Sequence, residues 1–216
     1  KGHARRGRLT PLLAFAIVIT AGRRISDATG FTQAGHLMTT HQRSIVASID
    51  PVKLDRLAEV AVKVGLQLRE GQDLFLTAPV AALPLVRRIA EHAYKAGAGL
   101  VTPILSDEEL TLARYRFAND ASFDRAPAWL YEGVAKAFSA NTARLAIVGD
   151  NPMLLAGQDP AKVSRANRAN SLAYQPALEK IAGFDINWNI VAYPTASWAR
   201  QVFPGEIGRA SCRERV

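Results

Sequence analysis

Asp73-Leu-Phe-Leu-Thr-Ala-Pro79, then Ala82-Leu-Pro-Leu-Val-Arg-Arg-Ile-Ala-Glu-His-Ala-Tyr-Lys-Ala96, then Leu100-Val-Thr-Pro-Ile-Leu105, is the stretch that decides the fold. The first piece is a short apolar run ended by proline, which predicts a buried strand over 73–78. The second carries apolar residues at helical spacing, tolerates Pro84 in its first turn and stops at Gly97. The third is again a strand, and Pro103 within it predicts an edge position or a bulge. Strand, helix and strand in that order are one βαβ unit.

The rhythm continues on both sides. Asp50-Pro51 predicts an N-cap with proline at the first helical position, and Leu54, Leu57, Ala61 and Val64 follow at helical spacing towards a stop at Gly65. Ser106-Asp107-Glu108-Glu109 has the form of a capping box, with Ser106 as cap, opening a helix to about Phe117. Pro127–Phe138 predicts a helix with Pro127 at its first position, Arg144–Val148 a strand, and Asp159-Pro160 the start of a long helix ending near Gly183. A strand over Ile186–Ala192 and a helix beginning at Ala196 complete the series. The expected class is α/β, a mostly parallel sheet flanked by helices, with no repeat or low-complexity linker breaking 48–205.

Charge and cysteine divide the chain differently. The net charge of +8 invites a nucleic-acid partner. Residues 1–50 account for +5 (seven Lys/Arg, two Asp/Glu), residues 206–216 for +1 (three and two), and 51–205 for only +2 (seventeen and fifteen). The globular part therefore has no basic stripe suited to phosphates, and no nucleic-acid partner is expected. Cys212 is the single cysteine, which excludes a disulfide framework and a cysteine-based zinc site. His3, His36 and His41 fall in the N-terminal flank, and His92 reads as a packing or surface residue of its helix.

The two ends read as foreign to the domain. The chain begins with Lys1; the basic 1–8 and the apolar run 12–19 imitate a signal peptide, but Ala21-Gly22-Arg23-Arg24 offers no cleavage site and the run is too short to span a bilayer. Residues 1–47 are expected to be non-native upstream translation or disordered, with initiation at Met38 or near Val46. Residues 206–216, Glu-Ile-Gly-Arg-Ala-Ser-Cys-Arg-Glu-Arg-Val, resemble a translated sequencing adapter and are expected to be an artefact.

Familiar catalytic patterns are absent. Glu91-His92 lacks the second histidine of H-E-x-x-H, and neither a G-x-S-x-G elbow nor a P-loop occurs. Gly97-Ala98-Gly99 lies between a helix and the following strand, the reverse of the dinucleotide fingerprint, and reads as a helix stop. Asp107, Glu108, Glu109 and Asp150 gather at predicted C-terminal strand ends, where open α/β sheets bind ligands and carboxylates suit hard cations. Helix capping accounts for the first three, and Gly149-Asp150-Asn151-Pro152 is turn chemistry. Trp188, Tyr193 and Trp198 are expected to pack in the core.

The region also carries a resemblance. Leu54-Asp-Arg-Leu-Ala-Glu-Val-Ala-Val-Lys-Val-Gly65, Gly71-Gln72, Ala78-Pro79, Leu83-Pro-Leu-Val86 and Ala93-Tyr-Lys-Ala-Gly-Ala98 occur in order with Ser106-Asp-Glu-Glu109, Ile147-Val-Gly-Asp-Asn-Pro152 and Leu155-Ala-Gly157. Ile190-Val-Ala-Tyr-Pro-Thr-Ala-Ser-Trp-Ala199 and Val202-Phe-Pro204 follow. Residues 52–204 thereby resemble the N-terminal region of the thermophilic metallo-aminopeptidase family, the aminopeptidase T and aminopeptidase S group. The resemblance implies an incomplete N-terminal domain of a two-domain, homodimeric, cytoplasmic exopeptidase acting on peptides, with two divalent metals (zinc, cobalt or magnesium) and no membrane partner. The family's Glu, His, Tyr and Asp ligands belong to the C-terminal half, so no catalytic, cofactor-binding or metal-ligating residue is assigned in this chain. The fragment is expected to hold no metal and to be inactive alone. A free-standing small-ligand-binding module and a structural or dimerisation domain are the alternatives.

Overall fold

The structure is a computed structural model and describes residues 49–202. The expectations for residues 1–47, for the 206–216 tail and for Cys212, His3, His36 and His41 lie outside the described residues.

The chain runs α1 (Pro51–Val60), a π-helical turn (Ala61–Leu66), β1 (Leu74–Pro79), α2 (Leu83–Lys95), β2 (Val101–Ser106), α3 (Glu108–Phe117) and α4 (Ala128–Ser139). It continues through β3 (Ala143–Val148), α5 (Pro160–Ala182), β4 (Trp188–Ala192) and α6 (Ala196–Val202). All three strand pairings are parallel and the sheet order is β2-β1-β3-β4. The mostly parallel α/β sheet expected from the sequence is thus the observed fold, and β2, the strand carrying Pro103, lies at an edge.

Register sets the two faces. Leu74 opposes Ala143 and Leu76 opposes Leu145, so these side chains share one face, while Phe75, Arg144 and Thr102 share the other. On the first face α1, the π turn and α2 bury Leu66, Leu74, Leu76, Leu85, Ile89 and Leu145 in one cluster. Full burial of each such side chain is worth about 1.5–3 kcal/mol. On the second face α4 and α5 close a smaller cluster of Val134, Phe138, Ala177, Ile181 and Ile186, edged by Phe75 and Trp188.

Several predicted boundaries move, among them the start of β4 at Trp188 rather than Ile186. The helix does not stop at Gly65: it opens into the π turn and ends at Gln67, which adopts the left-handed conformation (φ 53°). Gly65 instead makes room, since a Cβ there would stand 2.2 Å from Asn189 Nδ2, which donates to the Ala61 carbonyl at 3.3 Å. Ser106 is not the cap of α3, because it still pairs with Pro79 in the sheet. Asp107 takes that role, accepting from Leu110 N at 3.0 Å. Pro127 precedes α4 as its N-cap residue, and Ala128 is the first helical position. Asp50 and Asp159 cap α1 and α5 as predicted, accepting from Val52 N and Ala161 N, each at 2.8 Å.

The N-terminal ends of the strands are tied by amides. Buried Gln72 donates through Nε2 to the Asn141 carbonyl (2.8 Å) and to Asn187 Oδ1 (2.7 Å), and Asn187 returns a bond to the Leu66 carbonyl (2.9 Å). Both polar side chains are thereby satisfied where burial would otherwise cost about 1–3 kcal/mol each.

Candidate functional site

In the order β2-β1-β3-β4 the chain leaves β1 for one neighbour and later returns to the other side, so the switch point lies between β1 and β3. Open parallel sheets admit ligands at the C-terminal ends of the strands beside this point. The acidic groups singled out in the sequence meet there. Half-buried Glu108, from the first turn of α3 on the β2 side, reaches across to the other side of the switch point. Its Oε1 accepts from Asn151 N at 2.9 Å and from Ser197 Oγ at 2.7 Å. Thr195, buried, donates through Oγ1 to the Gly149 carbonyl, lies 2.9 Å from Ser197 Oγ, and accepts from Trp198 N at 3.2 Å. Tyr193 N donates to the Val148 carbonyl at 2.8 Å.

Gly149 is what lets these loops touch. A Cβ at this position would lie 1.8 Å from the Tyr193 carbonyl oxygen, a backbone atom that cannot swing aside. The Gly-Asp-Asn-Pro stretch is therefore a turn with a packing requirement at its glycine.

Asp150 remains exposed, yet its carboxyl titrates above the ordinary aspartate range; partial burial is the larger cause and the neighbouring Glu108 charge the second. Asp107 is occupied as a cap, and exposed Glu109 pairs with Arg116 at 3.4 Å. The arrangement binds three strand-end loops together through one carboxylate whose donors are already in place. It does not fit a divalent cation. Glu108 Oε1 is already engaged by two protein donors, partial burial works against the charge on Asp150, and among the described residues no group of three or more His, Cys, Asp or Glu gathers to hold a metal.

The other sequence candidates have structural roles. His92 is buried and its Nε2 lies 3.2 Å from Asp55 Oδ1, joining α2 to α1. Trp188 packs on the α4/α5 cluster and against Phe184, with ring centres 6.5 Å apart. Tyr193 packs on the α1/α2 cluster, and burial pushes its hydroxyl pKa up. Gly97, at φ 90°, is the predicted helix stop. The role of Glu108 as a strut had no signal in the sequence, since its partners are a backbone amide 43 residues away and a serine 89 residues away. No helix among the described residues is long and apolar enough to cross a membrane.

Aminopeptidase T of Thermus thermophilus is 51% identical over 152 residues, which cover 70% of this chain and 37% of the relative. Aminopeptidase T of Thermus aquaticus is 48% identical with the same coverage, and aminopeptidase AmpS of Bacillus subtilis is 31% identical over 154 residues, 71% of this chain and 38% of the relative. The solved structure of wild-type AmpT from Thermus thermophilus superposes with a TM-score of 0.71 at 48% identity, covering 74% of this chain and 40% of that one. The chain thus spans little more than a third of the length of the curated relatives it matches. The family model described as thermophilic metalloprotease (M29) matches residues 51–215, more than half of the sequence, and the chain belongs to that family.

Proposed function

We propose that residues 48–205 are the N-terminal α/β part of a metal-dependent aminopeptidase, which removes N-terminal residues from peptides in the cytoplasm as a homodimer. The observation that carries this reading is the family match over 51–215 together with relatives called aminopeptidase T over the same region. The metal chemistry, two divalent ions of zinc, cobalt or magnesium, belongs in this reading to residues outside the described part. Bound metals would polarise the scissile carbonyl and activate water. The described residues supply a rigid α/β body whose strand-end loops are cross-linked by Glu108. In this reading the 216-residue chain alone is inactive. A free-standing ligand-binding or purely structural module gains no support from these relatives.

The test is an assay of N-terminal residue release from short peptides by two polypeptides: this chain, and this α/β part continued by the remainder of a family member. Release by the second only, abolished by chelation and restored by divalent cation, is the expected outcome. Robust metal-dependent release by the 216-residue chain would overturn the placement of the metal site.

A further inference from the structure

At the opposite end of the sheet from Glu108, on the α4/α5 face, a cavity of about 270 Å³ opens between α4 and β2. It exists because α4 covers β1 but leaves β2 bare: Ile104 is 37% exposed and Trp129 75% exposed, although both are apolar and face the same hollow. Phe75 and Val134 complete an apolar wall. An engineered cavity of about 150 Å³ admits benzene, so this one holds an aromatic ring with a short arm.

The hydrogen-bond acceptors of the lining side chains come from Asp73, Thr102 and Thr142. Thr142 is only 8% exposed, lines the cavity, and its hydroxyl has no hydrogen-bond partner among the described residues. The other buried polar side chains, Gln72, His92 and Thr195, are all bonded. Its hydroxyl oxygen is therefore open to a ligand in the hollow. Asp73 likewise has no ion pair or side-chain hydrogen bond among the described residues, and a Cβ on Gly99 would stand 2.6 Å from its Oδ1.

We propose that this cavity is a binding site for a small primary amine bearing one aromatic or branched aliphatic group. An alkylammonium carries three N–H donors and no acceptor, which matches one carboxylate and two hydroxyl oxygens. The carboxylate selects a cation, and the apolar wall selects its side group. An extended peptide adding a strand to β2 fits less well. Leu100 bonds towards β1, so alternation turns Val101, Pro103 and Leu105 outward. The Val101 amide is already taken by the Tyr94 hydroxyl at 3.1 Å, and Pro103 has no N–H to give.

The experiment is a titration of the 216-residue chain with 2-phenylethylamine and with its neutral counterpart 2-phenylethanol, followed by amide NMR shifts of Thr102, Gly133 and Thr142. Saturable shifts at these three residues are expected, with the amine the tighter ligand. Asp73→Asn should weaken the amine at least about threefold and leave the alcohol unchanged, consistent with an exposed ion pair. Thr142→Val should also weaken the amine, because it removes one of the two hydroxyl acceptors that line the hollow. Gly133→Leu fills the hollow from a position whose Cβ meets nothing within 4 Å and should abolish both ligands in a folded protein. Equal affinity for amine and alcohol, indifference to Asp73→Asn, or no saturation would each overturn the proposal. So would self-association of the chain through these same residues.

Discussion

The two faces of the sheet are built to different standards. On the α1/α2 face the strands present Leu74, Leu76, Leu145 and Val191, and two helices with the π turn seal them. On the α4/α5 face the same strands present Phe75, Thr77 and Arg144, the cover reaches only part of the sheet, and the Arg144 Nε is buried with no partner among the described residues. One face is a finished core; the other is a partial one that grades into a groove over β2. Stability and openness have been assigned to opposite sides of a single layer of strands, so substitutions one residue apart along a strand should differ sharply in effect.

The widest separation should come from Leu76→Ala. Leu76 is fully buried in the larger cluster, and its truncation is expected to cost about 3–5 kcal/mol by chemical denaturation, the upper range for a leucine cavity. A loss under 1 kcal/mol would mean that the first face is no better packed than the second. Glu108→Ala comes next. It strips the acceptor from the Asn151 amide and the Ser197 hydroxyl, and should cost about 2 kcal/mol, with faster hydrogen exchange confined to α6 and the loop after β3. Ile104→Ala, on the bare side of β2, should cost only about 1 kcal/mol, well below Leu76→Ala. A large effect there would show that the groove is covered after all.

Asp150→Asn should give the smallest change, and its sign is the informative part. A carboxyl whose folded pKa is raised above its ordinary value of 3.8 destabilises the fold while charged. That penalty is fully present above the folded pKa and disappears as pH falls below the unfolded one. The asparagine variant is therefore expected to be slightly more stable near pH 7, with the difference vanishing below about pH 3.8, as measured by melting temperature against pH. A variant less stable at neutral pH would indicate that the Asp150 backbone bond outweighs its burial.

Much of the element order was legible in the residues, because its information is local. Leu54 and Ala61, the Asp50-Pro51 and Asp159-Pro160 caps, and the Gly97 stop each act within a turn or two of chain. Pro103 even disclosed an edge strand through its missing N–H. What was not legible depends on contacts across the fold. Gly65 looked like a helix stop when read alone, and becomes intelligible only once Asn189 is brought against it. Ser106 and Asp107 are both good caps, and the sheet register decides between them. Likewise, the acidic residues at the strand ends were visible as a group, but nothing local distinguishes Glu108, the one that crosses the switch point, from Glu109, which faces solvent.

The Tyr94 hydroxyl on the Val101 amide, beside Pro103, gives the sheet a direction of growth. On the β4 side the bonds of Asn187 and Tyr193 face β3, which turns the Trp188, Ile190 and Ala192 amides outward, and none of the three is a proline. Among the described residues, the β2 border therefore offers a further strand only the Leu105 amide, whereas the β4 border offers three. Edge-to-edge polymerisation needs two receptive borders on every molecule, and the β2 border is poor in donors.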